Sequence, residues 1–131
     1  MEIKELVQKA HEHALEKGFY DGKFNFAEKL MLVVSELGEL LEAHRTEKRF
    51  VRDFYEPSEP SDDLIAKLET MDVYAIERFE EMYKDQLEDE FADILIRLTD
   101  LCGYFNINIE KHLKAKIAYN KSREYKHGKM Y

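Results

Sequence analysis

Two pairs of carboxylates stand three residues apart in this sequence, Glu36 with Glu39 and Glu90 with Asp93. On a helix, residues at that spacing are neighbours on one face, so each pair offers two oxygen donors from one element. Stepping about 100° per residue around the first segment gives a main apolar stripe of Leu30, Val33, Val34, Leu37 and Leu41. A second apolar strip holds Leu32, Leu40 and Ala43, and Glu36 and Glu39 fall within it. Only Ser35, Gly38 and Glu42 are left for a water face. The segment is apolar nearly all round, which predicts burial, and burying two carboxylates is expensive unless their charge is compensated.

The second pair repeats the arrangement. A core stripe of Leu87, Phe91, Ile94, Leu98, Leu101 and Phe105 is flanked by a strip of Glu90, Asp93, Arg97, Asp100 and Tyr104. Packed side by side with these strips facing, the two helices converge four carboxylates on one pocket. Bare, such a cluster holds protons to relieve like-charge repulsion. A hard divalent cation relieves it better: Mg²⁺ prefers oxygen ligands, keeps several waters and shares its shell with phosphates, and Mn²⁺ accepts the same donors. A di-iron bundle is the sharp competitor, but it wants two E-x-x-H motifs, and only Glu124 and His127 have that spacing.

Other chemistry-bearing residues read more plainly. His11 and His13 flank the apolar stripe of the first segment and cannot face the same way, which favours surface or partly buried roles. His44 closes the second helix, where a cation suits the dipole. Arg97 and Asp100 are expected to make ion pairs along their strip, and Cys102 to pack in the core.

The elements that position these residues are helical. Ile3 to Lys17 has Ile3, Leu6, Val7, Ala10 and Ala14 at helical spacing, with Gly18 as a stop. Asn25 and Glu28 form a capping-box start for a helix from Phe26 to about His44. The pattern fails from Arg45 to Ser61, where both prolines lie. Ser61 or Asp62 can cap a third helix to about Lys84, with Leu64, Leu68, Met71, Ala75, Phe79 and Met82 on one stripe. Asp85 with Glu88 opens a fourth, from about Gln86 to Tyr104, and Ile109 to about Arg123 forms the last. No strand-like alternation competes, so the expected architecture is an all-α bundle of four to five helices.

The chain's 131 residues are one domain's worth. With 20 Lys+Arg against 28 Asp+Glu its net charge is -8, yet the 21 residues from Lys111 carry +6 of their own. The acidic remainder argues against nucleic acid as partner. No apolar run reaches the roughly 18 residues of a membrane span, no signal-peptide stretch opens the chain, and the lone Cys102 fits a reducing compartment. A cytoplasmic protein is the expectation.

Ser35 to Ala43 (SELGELLEA), followed by Glu90 to Leu95 (EFADIL) and by KIAYNKSREYKHGK from Lys116 to Lys129, resembles the MazG-like all-α nucleoside triphosphate pyrophosphatases. The resemblance covers Asn25 to Arg45 and Gln86 to Lys129. It implies that Glu36, Glu39, Glu90 and Asp93 bind Mg²⁺, and that a (d)NTP is hydrolysed between its α and β phosphates. It also implies substrate contact by Lys116, Asn120 and Arg123, whose spacing puts them on one helix face, and a homodimer or homotetramer. Glu39 is the choice for a carboxylate that orients water as general base. Fifty residues separate Glu39 from Glu90, longer than the usual turn in this family. The insert, about 45–84, with Arg49, Phe50, Arg52, Phe54 and Tyr55, is expected at a subunit interface in preference to a lid. The alternative reading is a non-catalytic helical module, oligomeric or metal-stabilised, that binds a partner.

Overall fold

The computed structural model describes residues 1–46 and 59–124. The aromatic and Arg residues of the insert between Arg49 and Tyr55, and the tail residues from Tyr125 onward, His127 included, lie outside the described residues. Every regular element among the described residues is a helix: α1 (Ile3–Glu16), α2 (Phe26–Arg45), α3 (Asp62–Glu69), α4 (Val73–Met82), α5 (Leu87–Tyr104) and α6 (Ile109–Lys121). No helix among them is long and apolar enough to cross a membrane.

The chain divides into two units. One comprises residues 1–24 and 96–131, and the other residues 25–95. Helix α5 contributes its first half to the second unit and its remainder to the first.

In the unit of residues 25–95, side-chain caps set the helix starts. The Asn25 side chain accepts from the backbone N–H of Ala27 and Glu28 at 3.0 and 3.3 Å, so α2 begins where the capping pattern places it. Ser61 likewise caps α3, accepting from Leu64 at 3.2 Å. The third helix, expected to run unbroken to Lys84, is in fact two. Asp72 accepts from the Ala75 N–H at 2.9 Å and starts α4 afresh. Just before it, Asp72 N–H reaches back to Lys67 C=O and Met71 N–H to Leu68 C=O, a Schellman closure with Met71 in the left-handed region at φ 57°. The apolar stripe ran across this corner because Met71 keeps its spacing, yet Met71 is 78% exposed.

Left-handed backbone costs a non-glycine residue about 1–2 kcal/mol, and part of that is returned by the greater unfolded-state freedom of glycine. Met71→Gly is therefore expected to stabilise the chain by about 0.5–1 kcal/mol. A rise in thermal midpoint of a few degrees checks it; a fall contradicts it.

At the start of α5 the backbone N–H of Asp85, a residue with φ 59°, donates to the Asp89 carboxylate at 2.9 Å.

The buried face of each carboxylate helix is narrower than its apolar pattern. On α2, Val33, Glu36 and Ala43 are buried and Leu32 and Leu40 half-buried, but Leu30, Val34, Leu37 and Leu41 of the expected main stripe are 40 to 56% exposed. On α5, Leu87, Ile94 and Leu101 are buried, whereas Phe91 and Leu98, and Phe105 just beyond its end, are exposed. Apolar residues extend further round each helix than its buried face, and the strip holding Glu36 is the inner one.

In the unit of residues 1–24 and 96–131, α1 packs on α6 and ends in a second Schellman closure, with Gly18 at φ 78°. Asn106, at φ 52°, closes α5 in the same way before Asn108 caps α6 through the Lys111 N–H. Its buried apolar residues are small or central: Ala10 and Ala14 of α1 and Leu101 of α5. Gly103 is where α5 meets α1. A Cβ there would fall 2.5 Å from the Cβ of His11 and 3.3 Å from the Val7 carbonyl oxygen.

Candidate metal centre

Glu36 and Glu39 come from α2, and Glu90 from the first turn of α5. One carboxylate oxygen from each lies within 4.8 Å of the other two. Glu36 and Glu90 are only 5% and 4% exposed, whereas Glu39 is open to solvent. The Oε2 atom of Glu90 is buried with no hydrogen-bond partner. Desolvation pushes the Glu90 carboxyl above the usual carboxylate range, and the charges of Glu39, Asp93, Asp89 and Asp85 add to the rise.

An orphaned buried carboxylate oxygen beside two further carboxylates lacks a positive charge. The donor set is all oxygen, which suits a hard cation such as Mg²⁺ or Mn²⁺ better than the nitrogen and sulfur ligands of zinc sites. The residues therefore fit the group the sequence pattern calls for.

Asp93, the fourth expected ligand, does not join the tight trio. It lies one turn further along α5, half-buried, and acts on Glu90 through its charge.

The expected substrate-contacting residues belong to the other unit. Lys116 and Asn120 are exposed on α6. Helix α6 ends at Lys121, so Arg123 is set by the turn that follows, in which its N–H donates to the Asn120 carbonyl, instead of by a helical face. Tyr119 draws the cations together: Lys116 Nζ stands 5.1 Å and the Arg123 guanidinium carbon 5.8 Å from its ring centre. The basic pair with an aromatic between them is thus a local feature of α6 and its end.

Sequence reasoning missed one polar cluster altogether. Asp100, expected to pair with Arg97, accepts instead from the Tyr20 hydroxyl at 2.8 and 2.9 Å and lies 2.8 Å from His11 Nδ1. Burial and then the Asp100 carboxylate hold the Tyr20 hydroxyl far above its ordinary pKa, so it stays a donor. Tyr20, Phe24 and Tyr104 stack in near-parallel planes beside it. Partners 80 and 89 residues apart leave no periodic trace in a sequence. Asp100→Ala strands both His11 and Tyr20, at an expected cost of about 2–3 kcal/mol. The check is a lower urea midpoint with unchanged slope; an unchanged midpoint contradicts it.

Cys102 is half-buried and its thiol pushed up by desolvation, so it is poorly suited to nucleophilic chemistry.

Compared with protein-family models, with curated proteins and with solved structures, the chain finds no match in any of the three.

Proposed function

We propose that the protein is a Mg²⁺-dependent nucleotide pyrophosphohydrolase of the MazG-like kind, cleaving a (d)NTP between its α and β phosphates to a (d)NMP and pyrophosphate. The single observation that carries the reading is the trio of Glu36, Glu39 and Glu90, with a buried Glu90 oxygen that lacks a partner. The three SELGELLEA, EFADIL and KIAYNKSREYKHGK segments supply the family expectation.

In this reading Glu36, Glu39 and Glu90 hold the cation, with Asp93 close by. When bound, the cation supplies the positive charge that triphosphate oxygens and leaving pyrophosphate require, and acidifies water. The chain's own residues do the rest. Buried Glu36 and Glu90 fix the inner side of the acidic trio. Glu39, the solvent-facing member, is the carboxylate that accepts a proton from attacking water. Lys116 and Arg123 donate to phosphate oxygens, Arg with a fork geometry suited to them, and Asn120 adds a neutral donor. Lys111 to Tyr131, with its net +6, offsets the repulsion an acidic chain imposes on an anionic substrate. Removing damaged or surplus nucleotides from the pool is the role such chemistry serves, in a cytoplasmic homodimer or homotetramer.

The experiment is a panel of NTPs and dNTPs incubated with the protein and Mg²⁺ or Mn²⁺, scored for pyrophosphate. Turnover of at least one nucleotide is expected, lost in Glu36→Ala. Identical turnover in that variant overturns the reading.

A further inference from the structure

In the unit of residues 1–24 and 96–131, a cavity of about 420 Å³ opens between the first half of α1 and the corner that joins α5 to α6. That volume is within the range of small-molecule sites. We infer that the cavity binds a small organic acid, one carboxyl group carried on an apolar chain or ring. Ile3, Val7, Ile107 and Ile109 line it with apolar surface, and Ile3 and Ile107 are 36 and 41% exposed in the chain alone. An apolar body laid against them gains by removing that surface from water.

The polar lining selects the head group, because its acidic members are already engaged and its open members are mostly donors. Glu12 accepts from the Gln8 amide at 2.8 Å, and Glu110 pairs with Lys114. Lys4 and the Asn106 amide, by contrast, have no partner among the described residues. Nor does the Asn108 amide nitrogen, since that side chain caps α6 through its oxygen. His11 completes the set. Asp100 accepts from the Tyr20 hydroxyl with both oxygens, so His11 Nδ1, 2.8 Å away, is the donor of its pair and the tautomer is fixed. The other ring nitrogen, Nε2, has no partner among the described residues, and His11 lines the cavity with its side chain 21% exposed. A carboxyl group suits this nitrogen in either form. As the acid it donates to Nε2, and as the anion it accepts from a protonated ring whose charge Asp100 balances. A neutral apolar molecule leaves Lys4 and both amides without partners, a cation meets the Lys4 charge, and a triphosphate brings more negative charge than one lysine offsets beside Glu12 and Glu110.

Binding is read without turnover, so this inference and the hydrolase reading can fail separately. The test is a titration of octanoate into the full isotope-labelled chain, followed by amide NMR. Saturable shifts are expected at Ile3 to Glu12 and Gly103 to Glu110, with a dissociation constant on the order of 1 mM for so small a ligand. Octan-1-ol, which keeps the chain without the acid, and acetate, which keeps the acid without the chain, are each expected to bind at least about tenfold more weakly. Lys4 is exposed, so Lys4→Glu should leave the fold intact, and it is expected to weaken octanoate about three- to tenfold. Ile107→Trp, which fills the cavity from a residue that is 41% exposed, is expected to remove the saturable shifts. No saturable shift in the wild type overturns the inference, and so does octan-1-ol binding as well as octanoate, or Lys4→Glu binding unchanged. A nucleoside triphosphate that displaces octanoate from the same residues also overturns it, because the cavity would then belong to the nucleotide. Should either variant lose its helices, the wild-type titration with its octan-1-ol arm decides alone.

Discussion

Glu90→Gln is expected to abolish turnover and, in the absence of metal, to make the protein more stable at neutral pH. The two effects have one cause. Glu90 is 4% exposed, its Oε2 has no partner, and burial raises its pKa with help from Glu39, Asp93, Asp89 and Asp85. A carboxyl whose folded pKa lies above its unfolded value binds more protons in the folded state between those two values. Folding stability therefore falls as pH climbs from the ordinary carboxylate pKa through the raised one. The amide keeps the shape and removes the charge, so the metal-free variant should melt higher than wild type at pH 7 to 8 and show a flatter pH profile. A bound cation inverts the balance. Wild type should gain thermal stability with millimolar Mg²⁺, by the mass action of a ligand that binds only the folded state, and Glu90→Gln should gain little. Losing a cation ligand forfeits several kcal/mol of transition-state stabilisation, so pyrophosphate release should drop on the order of 10²–10³-fold. Equal metal-induced shifts in both proteins would contradict this account of Glu90.

Gly103→Ala is expected to be the most damaging conservative change outside the site. The added Cβ would stand 2.5 Å from the Cβ of His11, far inside the contact distance of two non-bonded carbons, and 3.3 Å from the Val7 carbonyl oxygen. Both obstacles are on α1, and one is backbone, so α1 and α5 have to separate. His11 is also held to Asp100 at 2.8 Å, so its retreat breaks the buried contact that Tyr20 shares. Overpacking of this kind costs about 1–3 kcal/mol, occasionally more, and the lost contact adds to it. A fall in thermal midpoint of roughly 5–10 °C is expected for a domain of this size, read by circular dichroism. An unchanged midpoint would show that the helices part at no cost.

Much of the fold was legible because local signals agreed. Asn25 caps α2, Ser61 caps α3, and uninterrupted apolar spacing in each helix leaves no room for strands. The corner at Met71 was not legible, since left-handed closures are usually marked by Gly or Asn and methionine prolongs an apolar stripe. The signal that marks the corner is Asp72, a capping residue three before Ala75, whose side chain accepts from the Ala75 N–H. The site was legible to the extent that it depends on spacing within a helix. Glu36 falls in an apolar strip and Glu90 beside the core stripe, and both are buried, whereas Glu39, expected buried in the same strip as Glu36, is exposed. What spacing cannot supply is distance between helices: of the four expected ligands Glu36, Glu39 and Glu90 come together, and Asp93 is not in that trio. Nor does an apolar pattern say what covers it: Leu37 and Phe91 read as core and are half-exposed. The His11, Tyr20 and Asp100 cluster depends on three side chains meeting across the fold, for which no local rule exists.

The central claim is that this chain cuts a nucleoside triphosphate between its α and β phosphates with a cation held by Glu36, Glu39 and Glu90. Phosphorus NMR of the reaction with the best nucleotide of the panel tests it most directly. The account predicts a monophosphate and a pyrophosphate signal growing in equal amounts, only with Mg²⁺ or Mn²⁺ present. Orthophosphate growing beside a nucleoside diphosphate, or no change in the triphosphate signals, would contradict it.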